Sequence, residues 1–154
     1  MPKVYMMIGI QGSGKSTYSK ELSLKLNIPI VSTDRIRLDN PTMPEEEVWT
    51  NVYSMCANYL KSGSDIVFDA TNITPNVRNR FKDNLAKYDV KYDLIGIYLN
   101  TDIEICYKRV VDRNERKMEH YLPPEVVYNY ASNFIPPSKE EGFIEIIEIK
   151  NYHK

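Results

Sequence analysis

Apolar runs and helical stretches alternate along the chain. Val4–Ile10 is a continuous apolar run, typical of a strand buried on both faces, and Ser16–Leu26 follows it as a predicted helix. Ile144–Ile149 alternates apolar and polar residues, as an edge or half-exposed strand should. Further strands are predicted at Ile28–Ser32, Asp65–Asp69 and Tyr92–Leu99, and further helices at Glu45–Lys61, Pro75–Tyr88, Asp102–Asn114 and Pro123–Phe134. This alternation predicts an α/β fold, with a parallel sheet and helices on both of its faces.

Composition narrows the class of protein. A length of 154 residues predicts one domain over 1–154, and 20 basic against 21 acidic residues give a net charge of −1. That balance excludes histone-like binding but permits a local basic cleft. Cys56 and Cys106 lack metal-ligand spacing, which indicates free thiols in a reducing compartment. Because no apolar run reaches the roughly 18 residues of a membrane span and no signal-peptide pattern occurs, we expect a cytoplasmic protein without a membrane partner.

A glycine-rich turn follows the first strand. The residues GIQGSGKS, from Gly9 to Ser16, match the Walker A pattern G-x-x-x-x-G-K-[ST] between a predicted strand and a predicted helix. Such a turn closes main-chain N–H groups around nucleotide phosphates at a helix N-terminus. Lys15 is expected to reach the β- and γ-phosphates of ATP, and Ser16 to ligate Mg²⁺. Predicted ATP-binding residues here are Gly9, Gln11, Gly12, Ser13, Gly14, Lys15, Ser16 and Thr17. No N-K-x-D guanine motif occurs, which favours ATP over GTP.

An aspartate and an arginine follow the second strand, in the segment VSTDRIR. Ligands bind at the carboxyl ends of parallel strands, so Asp34 and Arg37 should face the same crevice as the glycine-rich turn. A carboxylate there can accept the proton of a hydroxyl acceptor, and an arginine can grip an anionic group on that acceptor. The alternative for Asp34 is that it caps a short helix.

The third strand ends in the segment DIVFDATN. Asp69 has the Walker B position, from which it would hold Mg²⁺. Thr71 and Asn72 offer hydrogen bonds at the strand tip, and Arg78 lies on the following helix, so these three are candidates to bind the acceptor. The alternatives are an ordinary turn for Thr71 and Asn72 and a solvated helix face for Arg78.

Arginines recur near the end of the fourth long helix. Arg109 and Arg113 are four residues apart and share a helix face. Arginines aimed at a transferred phosphoryl group stabilise its charge, and a mobile lid commonly delivers them. A solvated charged helix is the alternative, since nearby acids almost balance the bases.

The order of these motifs resembles the polynucleotide 5′-hydroxyl kinases of bacterial and phage nucleic-acid repair. The resemblance rests on the Walker A turn, S-T-D-x-x-R, D-A-T-N with an arginine six residues beyond its Asn, R-x-x-x-R and P-P-S-K-E-E-G-F, and it spans residues 4 to 143. It implies an adenylate-kinase-like P-loop NTPase fold with five parallel strands and a short arginine lid. It also implies an ATP- and Mg²⁺-dependent transfer of the γ-phosphoryl group to the 5′-OH end of DNA or RNA.

The resemblance assigns roles to single residues. Asp34 would be the general base for the 5′-OH, and Arg37 would hold the phosphate next to the acceptor nucleotide. Arg113 would clamp the donor phosphates, with Arg109 supporting it and the loop Pro137–Phe143 flanking the adenine. Small-molecule kinases and zeta-toxin-like kinases share this set of residues, so a nucleoside, nucleotide sugar or antibiotic is an alternative acceptor. A non-catalytic ATP-binding module is the third alternative, and the sequence carries no signal for the oligomeric state.

Overall fold

The computed structural model describes residues 1–116 and 121–153. Within these ranges the strands are β1 (Lys3–Ile8), β2 (Ile30–Ser32), β3 (Ile66–Asp69), β4 (Asp93–Asn100) and β5 (Glu145–Lys150). The helices are α1 (Lys15–Leu26), α2 (Thr33–Asp39), α3 (Glu45–Lys61), α4 (Pro75–Ala86), α5 (Ile103–Arg116) and α6 (Val126–Asn133), with a 3₁₀ turn at Lys139–Glu141. No helix among these is both long and apolar enough to cross a membrane.

The five strands form one sheet in the order β2-β3-β1-β4-β5, and every neighbouring pair is parallel. The predicted α/β class and the predicted edge position of β5 are therefore confirmed. The fold is that of an adenylate-kinase-like P-loop NTPase. Because the strands are parallel, their carboxyl ends meet at one edge of the sheet, where the register aligns Ser32 with Asp69.

The core lies on both faces of the sheet, as the apolar run of β1 predicts. Val4, Met6 and Ile8 pack with α3 and α4, whereas Met7 points to the opposite face, where α1 lies. The rings of Phe68 and Phe81 stack at 4.5 Å between centroids and join β3 to α4. This packing fixes the strand tips that carry the candidate site.

Some elements differ from the predicted ones at their ends. β1 stops at Ile8, not at Ile10, because the Gly9 N–H leaves the strand ladder and donates to the Thr71 carbonyl at 3.0 Å. The helix α2 was absent from the predicted elements, since seven residues are too few for a clear period. The helix α6 begins at Val126, after the prolines at 123 and 124 have formed turns with their carbonyl groups.

Candidate functional site

Two glycines of the Walker A turn have left-handed backbone conformations. Gly12 has φ +81° and Gly14, the N-cap of α1, has φ +103°. A Cβ at position 12 would overlap the Cys106 carbonyl oxygen on α5. Glycine at position 12 is thus required by close packing against α5 as well as by its backbone angles.

Two of the predicted ATP-binding residues lie beneath the turn. Ser13 is fully buried, and its carbonyl accepts a hydrogen bond from Thr101 Oγ1 at 2.9 Å. A Cβ on the buried Gly9 would lie 2.6 Å from Ser13 Oγ and 3.1 Å from the Leu99 carbonyl oxygen. The structure therefore assigns Gly9 and Ser13 to packing the turn from below, which leaves the other turn residues to face a ligand.

A cavity of about 840 Å³ opens at the carboxyl ends of the strands. This volume is in the range of small-molecule and cofactor sites. It brings together most of the residues that the sequence singled out, and the lining includes Gln11, Gly12, Gly14, Lys15, Ser16, Thr17, Asp34, Arg37, Asp69, Thr71, Arg109 and Arg113. Lys15 and Asp34 line the same cavity.

Lys15 and Asp69 form the electrostatic centre of this cavity. Burial lowers the pKa of Lys15, while the negative charges of Asp69 and Asp34 act in the opposite direction. Burial raises the pKa of Asp69, and the positive charge of Lys15 opposes that rise. Lys15 Nζ also donates to the Ile10 carbonyl at 3.2 Å. Lys15, Asp34 and Asp69 all line this cavity, so the charge of each acts on the other two.

Asp34 lies in the first turn of α2 but does not cap it. The cap is Ser32, whose hydroxyl accepts from the Arg35 N–H at 3.2 Å. The Asp34 side chain is 84% exposed and accepts from Arg37 Nη1 at 2.8 Å. The capping alternative is therefore wrong, and the Asp34 carboxylate is open to a ligand in the cavity.

Arg37 is held between two carboxylates. Besides Asp34, it contacts Glu45 at the start of α3, with Nη2 at 2.5 Å from Oε1 and Nε at 3.1 Å from Oε2. The hydrogen bond to Glu45 is the largest of the effects that raise the pKa of Arg37. In this arrangement the guanidinium charge is already balanced by protein groups.

Arg109 braces the Walker A turn from α5. Its Nη1 donates to the Gly12 carbonyl at 3.1 Å and its Nη2 to the Tyr152 carbonyl at 2.7 Å. Tyr152 in turn packs edge-on against Tyr18 of α1, at 5.2 Å between ring centroids, and its hydroxyl bonds Glu21. The residues that follow β5 thus connect α1, α5 and the turn.

The predicted lid connects α5 to α6. Arg113 lies on α5, is half-buried and lines the cavity. Arg116, at the end of α5, and Tyr130, on α6, also line it. Residues 117–120, which the predicted lid includes, lie outside the described residues.

The acceptor-binding role predicted for Asn72 and Arg78 is wrong, because both side chains are buried and bonded to other parts of the chain. Asn72 is 1% exposed, has φ +49°, and donates from Nδ2 to the Met7 carbonyl at 2.8 Å. Arg78 is also 1% exposed and forms an ion pair with Glu141, with Nε at 2.6 Å from Oε1. Its Nη1 and Nη2 donate to the carbonyls of Asn72 and Ile135 at 2.8 and 3.0 Å. Both side chains stabilise the loops behind the cavity, and Arg78 is neither an acceptor ligand nor a solvated helix residue.

The loop Pro137–Phe143 does not flank the cavity either. Its last residue, Phe143, is buried against Gly96 in β4, and the Ile144 N–H donates to Leu94 near the start of that strand. Glu141 points to Arg78, and its carbonyl accepts from Lys82. The chain therefore descends towards the amino end of β5, away from the glycine-rich turn, so the adenine-flanking role is wrong for this loop.

The cavity also contains residues that sequence reasoning missed. Glu45 and Trp49 line it from α3, and Arg80 lines it from α4. Trp49 is half-buried, with its ring edge-on to Phe68. A weak signal was available, since Glu45 and Trp49 are four residues apart on one helix face.

Comparisons with known proteins agree with the P-loop fold. A family model described as an AAA domain matches residues 4–137. The Mus musculus protein named "Probable gluconokinase" is 26% identical over 94% of this chain and 89% of that protein. A chain of the Pnkp1/Rnl/Hen1 RNA repair complex superposes with a TM-score of 0.74 and 23% identity, over 86% of this chain and 43% of that one. Chaetomium thermophilum Kti12 in complex with ADP-AlF₃ superposes with a TM-score of 0.77 and 14% identity, over 97% and 89% of the two chains.

Proposed function

Because the chain belongs to the family described as an AAA domain and has a kinase-like P-loop fold, we propose that it transfers the γ-phosphoryl group of ATP to a hydroxyl acceptor. One observation carries the proposal: Lys15 of the Walker A turn and the exposed carboxylate of Asp34 line the same cavity. A carboxylate next to a phosphate site is what a hydroxyl acceptor needs and an ionised acceptor does not.

The donor side of the cavity is formed by the turn and α5. The main-chain N–H groups of Gly12 and of Gly14 to Ser16, at the N-terminus of α1, would bind the phosphates, with Lys15 at the β- and γ-phosphates. The Ser16 hydroxyl and the Asp69 carboxylate are hard oxygen donors on the cavity wall, so these two residues would hold Mg²⁺. When bound, Mg²⁺ neutralises phosphate charge.

The transfer itself is a displacement at the γ-phosphorus. The acceptor oxygen forms a bond to that phosphorus, the bond from phosphorus to the β,γ-bridging oxygen breaks, and ADP leaves with the electron pair. Asp34 accepts the hydroxyl proton as the new bond forms. Lys15 and Arg113 lie on the same cavity, where their positive charges stabilise the negative charge that develops on the γ-phosphoryl oxygens.

The 5′-OH end of DNA or RNA is our first candidate for the acceptor. Supporting it are the order of motifs along the chain and the three arginines at 37, 80 and 116 that line the cavity. The aromatic ring of Trp49 on the same wall offers a stacking surface for a base. The fold likeness to a chain of an RNA repair complex is consistent with this acceptor.

A small alcohol is the second candidate, favoured by one specific observation. Arg37 already has two carboxylate partners, which an uncharged acceptor would leave undisturbed. Separately from the charge argument, the similarity to a protein named as a gluconokinase, over 94% of this chain, is consistent with a small-molecule acceptor.

A labelling experiment separates these candidates. The protein is incubated with γ-labelled ATP and Mg²⁺ and, in separate reactions, with a 5′-OH oligonucleotide, a nucleoside, or a sugar acid and other small alcohols. Label on the oligonucleotide supports the first candidate, label on a small alcohol alone supports the second, and no label on any acceptor contradicts the kinase. In Arg37→Ala, we expect a strong loss with a phosphate-bearing oligonucleotide and a small loss with a neutral nucleoside.

A further inference from the structure

The fork of Arg37 is bound in a way that resembles the binding of a phosphate. Glu45 accepts from both Nη2 and Nε, while Asp34 accepts from Nη1. Carboxylate and phosphate oxygens suit the same bidentate arrangement on a guanidinium group. Glu45 therefore occupies the position that an anionic group of an acceptor would take.

This contact is open to competition. The side chains of Arg37 and Glu45 are 38% and 60% exposed, and ion pairs at such exposure contribute little to stability. Arg37 with its two carboxylates has a net charge of −1, which repels an arriving phosphate until one carboxylate moves aside. A neutral acceptor meets no such barrier.

The geometry points to Glu45 as a specificity-determining residue of the acceptor site. Its carboxylate is a displaceable counter-ion of Arg37, so the charge at position 45 sets the preference between phosphate-bearing and neutral acceptors. This inference rests on the proposed function, because it takes the Asp34 side of the cavity as the acceptor side.

The neighbouring Trp49 makes the displacement observable. It lies four residues beyond Glu45 on α3, lines the same cavity, and is the single tryptophan of the chain. The pKa of the Glu45 carboxyl is lowered mainly by its hydrogen bond to Arg37, with a smaller contribution from the Trp49 side chain. Moving Glu45 off Arg37 changes the surroundings of this indole, and therefore its fluorescence.

The test is a binding titration that needs no phosphate transfer. Thymidine 3′-monophosphate and thymidine are titrated separately into the protein at fixed ionic strength, with saturating ADP to fill the Walker A turn. Calorimetry gives the Kd of each probe, and Trp49 fluorescence reports the displacement of Glu45 by the monophosphate. In Glu45→Gln the Kd for the monophosphate should fall about two- to fivefold, the range that exposed ion pairs contribute. The Kd for thymidine should stay within a factor of about two.

Two variants control for indirect effects. Glu46→Gln changes an exposed acid in the same helix turn and should bind both probes as the parent does. Glu45→Asp keeps the charge, so its preference between the probes should stay closer to that of the parent than that of Glu45→Gln.

The outcomes separate this inference from the proposed function. The role of Glu45 is overturned if the Kd for the monophosphate is the same in Glu45→Gln as in the parent, or if the monophosphate binds to neither protein. It is also overturned if both probes bind Glu45→Gln more tightly by the same factor. Selective tightening supports that role even if the labelling experiment finds no transfer. If phosphate transfer occurs but Glu45→Gln does not bind the monophosphate selectively more tightly, the proposed kinase function stands and the role of Glu45 is overturned.

Discussion

The buried charge of Arg78 allows a quantitative test of how the loops behind the cavity are held. Glu141 approaches its guanidinium with Oε1 at 2.6 Å from Nε and Oε2 at 3.1 Å from Nη2. The side chains are 1% and 10% exposed, so the pair is largely shielded from water. Glu141→Gln keeps the shape of the side chain but leaves a buried guanidinium without its counter-charge.

The expected loss follows from that burial. Removing one partner of a buried ion pair costs about 3–5 kcal/mol, and the amide oxygen of Gln can still accept one hydrogen bond, so we expect about 3 kcal/mol. The total stability of a domain is typically about 5–15 kcal/mol, so a large part of it would be lost. For a chain of this length, the loss corresponds to a fall in Tm of about 6–12 °C.

Urea unfolding followed by Trp49 fluorescence measures this loss. The midpoint should fall while the m-value stays the same, because the surface exposed on unfolding is unchanged. Glu140→Gln changes an exposed acid in the same 3₁₀ turn and should stay within about 0.5 kcal/mol of the parent. A loss below about 1 kcal/mol in Glu141→Gln, or an equal loss in Glu140→Gln, would refute the structural role of Arg78.

The pH dependence of stability gives a second, independent test of the ion pair between Arg78 and Glu141. Burial raises the pKa of Glu141, but the hydrogen bonds from Arg78 and the Ser138 N–H, together with Lys82, outweigh it, so the pKa lies below its ordinary value of 4.5. The ionised carboxylate therefore adds stability above about pH 4.5, and that stability is lost as the pH falls through the lowered pKa. The difference between parent and Glu141→Gln should shrink in that range, and a difference that stays constant would contradict the ion pair.

The remaining predictions concern the nucleotide side. Arg109→Lys keeps the positive charge but cannot donate to the Gly12 and Tyr152 carbonyls at the same time, as the guanidinium group does. ADP binding measured by calorimetry should therefore weaken about tenfold. An unchanged ADP affinity would contradict the role of Arg109 in bracing the turn. Gly12→Ala should abolish ADP binding, because its Cβ overlaps the Cys106 carbonyl. Gly63→Ala, at φ +86° with no atom of the described residues within 4 Å of its Cβ, should cost about 1–2 kcal/mol of stability and keep ADP affinity. Equal effects of the two variants on ADP binding would refute the packing argument. Burial lowers the pKa of Lys15 below 10.5, so the ammonium group loses its charge as the pH rises towards 10.5, and ADP affinity should fall over that range. Lys15→Arg stays charged, so it should bind ADP more weakly than the parent at neutral pH but show no such fall. Identical pH profiles for the parent and Lys15→Arg would exclude Lys15 as the titrating group.

The features that the sequence predicted well depend on neighbouring residues. The apolar run of β1 leads directly into the Walker A turn, and a parallel sheet brings the ends of its strands to one edge, so Lys15, Asp34 and Asp69 could be assigned to one cleft before any coordinates. The helix period likewise places Arg109 and Arg113 on one face, and both line the cavity.

The features that it missed depend on partners far along the chain. Arg78 matches an acceptor-binding arginine in spacing, but its burial comes from Glu141, 63 residues later. Asn72 donates to Met7, 65 residues earlier, across the interior of the sheet. The pairing of Arg37 with Glu45 requires α2 to turn back onto α3, and local periodicity holds no information about that turn.

Asp34→Asn tests the central claim most directly. The variant keeps the size and hydrogen-bonding capacity of the side chain but cannot accept the acceptor proton at neutral pH. Transfer of γ-labelled phosphate, measured with the acceptor identified by the labelling experiment, should fall by about 10²–10⁴-fold, the usual contribution of a general base. ATP affinity, measured separately by calorimetry, should stay within about twofold of the parent. Transfer at the parental rate in Asp34→Asn would contradict a base at this position, and with it the mechanism proposed for the cavity.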